Sequence, residues 1–298
     1  MDQGRDPTLD FDPGVWQLFD QYVHGIIDRR AFLRGASRFA VGAMTAPAML
    51  ALLSPRFAEA QKIKPDDERL KAEFVEIDSP AGNGTARGYL VRPANADGKL
   101  PLILVAHENR GLNPHIEDIA RRLALEGYLV LAPDALHPKG GYPGNEDDAR
   151  AAFQTLDQAK TRADFLAAAR WLLAHRDGNG KLGATGFCWG GGLVNWLATE
   201  LPALKAAAPY YGTGAPLQAV PAIQAELLVV LAENDERINA GWPAYAAALD
   251  AAKVRYRMLQ PKSTQHGFNN DTTPRYNPEA AAEVWAETLA LFARALKG

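Results

Sequence analysis

The chain holds a single cysteine, Cys188, inside GATGFCWGGG (183–192), between two groups of glycines. The residues before it, KLGATGF, have the pattern of a short buried strand, and those after it, GGLVNWLATEL, the pattern of a helix start. A nucleophile on such a turn is held in a strained backbone conformation, with its side chain raised above the sheet. Residues two places to either side must then be small, and Gly186 and Gly190 meet that need. The helix beyond Cys188 turns its positive end toward the sulfur and favours the thiolate, which is the form that attacks. A lone cysteine is more often a small buried hydrophobe; the glycine frame sets this one apart.

Partners for a nucleophile follow in the chain. AELLVVLAENDER delivers Glu233, Asn234 and Asp235, and VRYRMLQ leads into KSTQHGFNN, which carries His266. Singly, Asp235 is explained as a helix cap and His266 as a loop histidine. Together, after successive apolar strands, they supply a base for the thiol and a carboxylate to hold that base in the right tautomer. Upstream, LPLILVAHENRG delivers His107, Glu108, Asn109 and Arg110 at another strand end.

The elements that must position these residues alternate from Ala72 onward. AEFVEIDSP and TARGYLVRPA pair around the turn AGNG, and LPLILVAHE and YLVLAPD are continuous apolar runs of the kind buried on both faces. Between the latter two lies the helix IEDIARRLALEG, stopped by Gly127. One long helical stretch is expected over 146–175. Three more strands, LKAAAPYYG, AELLVVLAEND and VRYRMLQ, come after the cysteine turn, and EAAAEVWAETLALFARALK closes the chain. Such alternation predicts a mostly parallel sheet covered by helices on both faces, with the chemistry beyond the carboxyl ends of the strands.

These motifs resemble the dienelactone hydrolase family of the α/β-hydrolase superfamily, over residues 72–298. VAHENRG is similar to the family's segment after its third strand, APD to the end of the next strand, GFCWGG to the elbow, END to the acid and QHGF to the histidine. The resemblance implies an α/β-hydrolase fold, a mostly parallel central sheet flanked by helices, here with an N-terminal extension. It implies hydrolysis of a small ester or lactone through a thioester on Cys188, with His266 as base and Asp235 behind it. Glu108 would touch the resting thiol and help to deprotonate it; an ion pair with Arg110 is its other explanation. The oxyanion is expected to meet the backbone amides of Asn109 and Trp189. The family binds a substrate carboxylate with arginines in the loop after APD and shortly past the histidine. Neither ALHPKGGYPG nor HGFNND has one, which leaves Arg110 and Lys139 as candidate substrate-binding cations. Asn269 and Asn270 suit a neutral substrate, so a neutral ester is expected to outrun its carboxylated analogue. The alternatives are a cysteine amidase or peptidase, since the same triad attacks amides, and a non-catalytic binding protein that keeps the fold.

Other classes lack their signatures. The formal net charge is −3 with no basic stripe, so a small-molecule substrate is expected and no nucleic acid. One cysteine cannot close an intrachain disulfide or build a cysteine-rich zinc site. His107-Glu108 lacks the second histidine of H-E-x-x-H, DGNG (177–180) lacks the glutamate of a calcium loop, and GFCWGGG lacks the lysine of a phosphate loop. No metal and no cofactor are expected.

Residues 1–60 differ from the hydrolase domain expected over 61–298. Arg29-Arg30 precede Phe32-Leu33, a run of small apolar residues extends to Leu53, and Ala58-Glu59-Ala60 closes it. That order matches a twin-arginine export signal, which predicts a periplasmic protein. Arg38 and Pro47 interrupt the run, so no stable membrane span is expected. The alternative is a docking segment of a cytoplasmic protein, favoured by the long stretch FDPGVWQLFDQYVHGII ahead of the arginines.

Overall fold

Apolar alternation builds the sheet from the middle outward. In the computed structural model, which describes residues 11–42 and 44–297, eight strands form one sheet in the order β1-β2-β4-β3-β5-β6-β7-β8. They are β1 (Leu70–Ser79), β2 (Gly84–Pro93), β3 (Leu100–Ala106), β4 (Leu129–Pro133), β5 (Gly178–Phe187), β6 (Leu204–Tyr210), β7 (Glu226–Val230) and β8 (Tyr256–Leu259). The β1–β2 hairpin and the β2–β4 pair are antiparallel; the pairs from β4 through β3, β5, β6 and β7 to β8 are parallel. The expected fold is therefore the observed one.

Successive residues of a strand face opposite layers. Leu102, Leu104 and Ala106 of β3 pack with Phe165, Leu172, Val194 and Leu197, from helices α7 (Gln158–Leu173) and α8 (Trp189–Glu200). Ile103 and Val105 pack with Ile116, Leu123, Val284 and Phe292, from α5 (Pro114–Leu125) and α11 (Pro278–Phe292). Strand β3 is fully buried apart from Leu100, which explains its unbroken apolar run.

The helical stretch after β4 is two helices, α6 (Glu146–Gln154) and α7, where one was expected. Asp157 separates them: its carboxylate accepts from the amides of Ala159 and Lys160 at 3.0 and 3.1 Å and starts the second helix afresh.

Register places the chemistry. Ala106 pairs with Gly186, Phe187 with Tyr210, and Val230 with both Tyr210 and Leu259, so these strands end along one rim. Past β7 the chain forms the short helix α9 (Glu236–Asn239), then α10 (Trp242–Ala251).

The N-terminal segment folds as α1 (Pro13–Val23), α2 (Arg29–Ala36), α3 (Ala46–Leu53) and the single turn α4 (Phe57–Ala60). Val15, Phe19, Tyr22, Phe32, Met49, Leu50 and Leu53 make a small core of their own. Among the described residues no helix is long and apolar enough to cross a membrane.

Candidate active site

β5 runs straight into Cys188, the residue that precedes α8. Its φ of 56° and ψ of −115° lie where a residue with a side chain is strained, the backbone form of a strand-to-helix elbow. A Cβ added at Gly186 would meet the Gly190 carbonyl oxygen at 2.4 Å, and one at Gly190 would meet the carbonyl oxygens of Ala106 and His107 at 2.4 Å. Both glycines are thus needed by backbone approach. That approach brings the end of β3, with Glu108 and Asn109, beside the sulfur.

His266 and Asp235 arrive from the loops after β8 and β7. His266 Nδ1 lies 2.5 Å from Asp235 Oδ2, both side chains nearly buried, which leaves Nε2 turned toward the thiol side. Asp235 also caps α9 through the Ile238 amide at 3.4 Å, so the cap and the orienting carboxylate are one group. Burial alone would raise the Cys188 pKa, but the charge on His266, with hydrogen bonds from His24 and His266, brings it down to about 6. Burial likewise works against the charged His266, yet the thiolate and Asp235 carry its pKa up to about 9. Each group shifts the other toward its charged form, sulfur toward thiolate and ring toward imidazolium.

The remaining expected residues divide. Glu108 lines the cavity with Cys188 and accepts from Asn270 Nδ2 at 3.0 Å. Glu146 is the carboxylate paired with Arg110, 3.4 Å from Nε. Asn109 and Trp189 line a cavity together with Cys188. His107 is a buried neutral support, accepting from the Ala135 amide through Nε2 at 3.1 Å and stacked on Trp189. Arg110 is nearly buried and lines the cavity. Lys139 is exposed and lines neither cavity at Cys188, because the turn that carries it points to solvent. Asn270 spends its amide on Glu108 and its oxygen on Thr272, and Asn269 lies away from both cavities.

The cavity holds a cation that sequence spacing missed. Arg275 lines the same space as Cys188, Glu108 and Arg110, about 380 Å³ in volume, with its side chain 8% exposed. It sits beyond the HGFNND segment, in a loop that folds back until the Asn277 amide meets the Phe268 carbonyl at 3.0 Å. The expectation of a pocket without an arginine past the histidine is therefore corrected. Among the described residues the buried Nε atoms of Arg110 and Arg275 make no hydrogen bond, the Glu146 contact to Arg110 being an ion pair only.

The second unforeseen residue is His24, which follows α1. Its Nε2 is 3.8 Å from the Cys188 sulfur and 3.4 Å from His266 Nε2, while Nδ1 meets the Asp20 carbonyl at 2.8 Å. Asp20 raises the His24 pKa against the effect of burial. Around it, the Val23 carbonyl accepts from Arg110 at 3.0 Å and Asn109 at 3.1 Å, and Asp20 faces Arg275 at 3.3 Å. His24 lines a second cavity, about 670 Å³, that shares Cys188 and Asn109 with the first. Cys188, His266 and His24 are also a geometric candidate for holding a metal ion, which no spacing in the sequence foretold.

The profile of the dienelactone hydrolase family matches residues 86–296, and that of a YqhI-like family matches residues 3–41. A protein of Escherichia coli (strain K12), provisionally named a carboxymethylenebutenolidase, is 33% identical over 246 residues, 77% of this chain and 89% of its own length. A provisionally named hydrolase fragment, YghX, from the same strain is 52% identical over 114 residues, 38% of this chain and 97% of its own. The crystal structure of a provisionally named dienelactone hydrolase from Klebsiella pneumoniae subsp. pneumoniae MGH 78578 superposes with a TM-score of 0.65 at 30% identity. It covers 75% of this chain and 99% of that one. A dienelactone hydrolase-like promiscuous phosphotriesterase from metagenomic libraries gives a TM-score of 0.67 at 25% identity, over 76% of this chain and 99% of that one.

Proposed function

Since the chain belongs to the dienelactone hydrolase family and is a hydrolase of ester or lactone bonds, we propose that it works through a thioester on Cys188. The observation that carries this reading is the strained Cys188 elbow beside a His266 that Asp235 holds at 2.5 Å. The Cys188 thiolate adds to the carbonyl carbon, and the developing oxyanion is met by the amides of Asn109 and Trp189. As the carbon–oxygen bond to the leaving group breaks, His266 gives that alkoxide a proton. Water then attacks the thioester, His266 takes one of its protons, and the acid leaves with the thiolate restored. Glu108, held by Asn270, lines the cavity at the nucleophile, where its carboxylate faces the space the substrate enters.

We infer, against the expectation from sequence, that an anionic substrate group meets Arg275 in the cavity at the nucleophile, since Arg110 there is paired with Glu146. Cys188→Ala tests the mechanism: hydrolysis of ester and lactone substrates should vanish in a folded protein, and mass spectrometry of the wild type should catch an acyl adduct on Cys188. Full turnover by the variant, or by iodoacetamide-treated protein, overturns it.

For residues 1–60 the basic, apolar, small-residue order supports twin-arginine export to the periplasm with cleavage near Ala60. The contacts of Asp20, Val23 and His24 with the site support a segment retained on the enzyme. N-terminal sequencing of the protein from its host decides: a start near Gln61 carries export, an intact Met1 in the cytoplasm carries retention.

A further inference from the structure

We propose that Cys188, His266 and His24 form a zinc site, and that zinc bound there takes the nucleophile and its base out of action. The site stands on geometry; its inhibitory effect rests on the cysteine mechanism above.

The three ligand atoms lie within 4.8 Å of one another. His24 Nε2 is 3.4 Å from His266 Nε2 and 3.8 Å from the sulfur. A tetrahedral zinc with bonds of about 2.0 Å to nitrogen and about 2.3 Å to sulfur keeps its ligand atoms roughly 3.3–3.6 Å apart. The two His24 separations already approach that spacing, and the Cys188 and His266 atoms, within 4.8 Å of each other, draw together to close three of the four corners. Two cavities meet at Cys188, which leaves room for water or another small ligand at the fourth.

The outer groups are those a metal site needs. Histidines that bind a metal through one nitrogen donate the other N–H to a carboxylate or a carbonyl, which fixes the tautomer and aims the free nitrogen. His266 Nδ1 has Asp235 at 2.5 Å, and His24 Nδ1 has the Asp20 carbonyl at 2.8 Å and its carboxylate at 3.3 Å. Both Nε2 atoms thus face the sulfur. One thiolate and two imidazoles are a borderline-soft set that suits zinc over magnesium or calcium. Two carboxylates behind the histidines balance much of the remaining charge of the ion.

One group opposes the metal. Arg237 Nη2 lies 2.9 Å from His24 Nε2, so a guanidinium donor already sits on a lone pair the metal requires. The ion requires a neutral His24 with its proton on Nδ1, toward the Asp20 carbonyl. Arg237 is exposed and free to swing into solvent when an ion enters. A metal-bound imidazole and thiolate carry no proton on their ligand atoms, so a proton leaves the Cys188–His266 pair as the ion binds.

The test uses the full chain, with zinc chloride and cobalt(II) chloride as probes. Calorimetry should find one zinc per chain, cobalt should give tetrahedral bands with a thiolate charge-transfer band, and zinc should slow iodoacetamide labelling of Cys188 at least tenfold. His24→Ala should weaken zinc by more than the roughly 10–100-fold that losing an outer partner costs. Arg237→Gln should tighten it, a gain that a damaged fold would not produce. Equal affinity in His24→Ala, or cobalt spectra without the thiolate band, overturns the site. If Cys188→Ala is inactive while the wild type binds no zinc, the site falls and the cysteine mechanism stands. Zinc that shields Cys188 from labelling but leaves hydrolysis unchanged overturns the inhibition and the cysteine mechanism together.

Discussion

Asp235 Oδ2 lies 2.5 Å from His266 Nδ1, and Oδ1 of the same carboxylate accepts from the Ile238 amide at 3.4 Å. One side chain therefore orients the base and starts α9. Asparagine keeps an oxygen for the helix cap but offers no charge to the imidazolium and permits the wrong tautomer. We expect Asp235→Asn to lower kcat by about 10²–10⁴-fold with little change in Tm. Steady-state kinetics beside a thermal melt checks this, and a variant retaining a tenth of the activity would assign the orienting role elsewhere.

The sequence disclosed this half of the site because each member sits at a strand end, and strands buried on both faces announce themselves as apolar runs. Gly186 and Gly190 were legible for the same local reason: the space they lack is set by their own turn. The break at Asp157 was not, since Thr155-Leu156-Asp157 carries neither glycine nor proline and the capping aspartate resembles a surface charge. Arg275 reaches the cavity only because its loop folds back against Phe268, a tertiary fact. His24 stands 164 positions from Cys188, and no periodicity links residues that far apart. The one signal near it was the length of FDPGVWQLFDQYVHGII ahead of the arginines, which suggested docking without saying where.

The thiolate–imidazolium pair sets a pH window. Cys188 is lowered to about 6 and His266 raised to about 9, and these two values belong to the pair. Below the first the sulfur gains a proton and stops attacking; above the second His266 loses the proton that the leaving group needs. A plot of kcat/KM against pH should rise through about pH 6 and fall through about pH 9. Alkylation of Cys188 should follow the acidic limb alone. A labelling rate with its midpoint near the ordinary thiol value of about 8.5 would show that His266 does not hold the thiolate.

At Gly190 the constraint is steric. A Cβ there would lie 2.4 Å from two backbone carbonyl oxygens, and backbone cannot rotate aside as a flexible side chain does. Gly190→Ala should cost about 1–3 kcal/mol of stability, the usual range for overpacking. It should also push the end of β3, and with it Glu108 and Asn109, away from the sulfur. Denaturant unfolding measures the first effect and kcat of the folded fraction the second. Wild-type values for both would mean that the turn has freedom its contacts deny.

Arg275 is the candidate anion contact of the cavity at Cys188. Its side chain is 8% exposed and lines the space that holds Cys188; it contacts Asp20 at 3.3 Å and the Phe19 ring, and among the described residues its Nε has no hydrogen-bond partner. An anionic group on the substrate gives that guanidinium a charge-assisted partner that a neutral ester cannot. Such a bond contributes about 1.5–3 kcal/mol, or roughly one to two decades in affinity. We therefore expect the wild type to favour a carboxylated ester or lactone over its neutral analogue, measured by kcat/KM. Arg275→Gln should remove about one to two decades of that preference by slowing only the carboxylated substrate. The neutral substrate is the internal control, since a general disturbance of the loop that carries His266 would slow both alike. A wild type that prefers the neutral ester, with Arg275→Gln unchanged in its preference, would leave Arg275 as a tether for the N-terminal segment through Asp20 and Phe19.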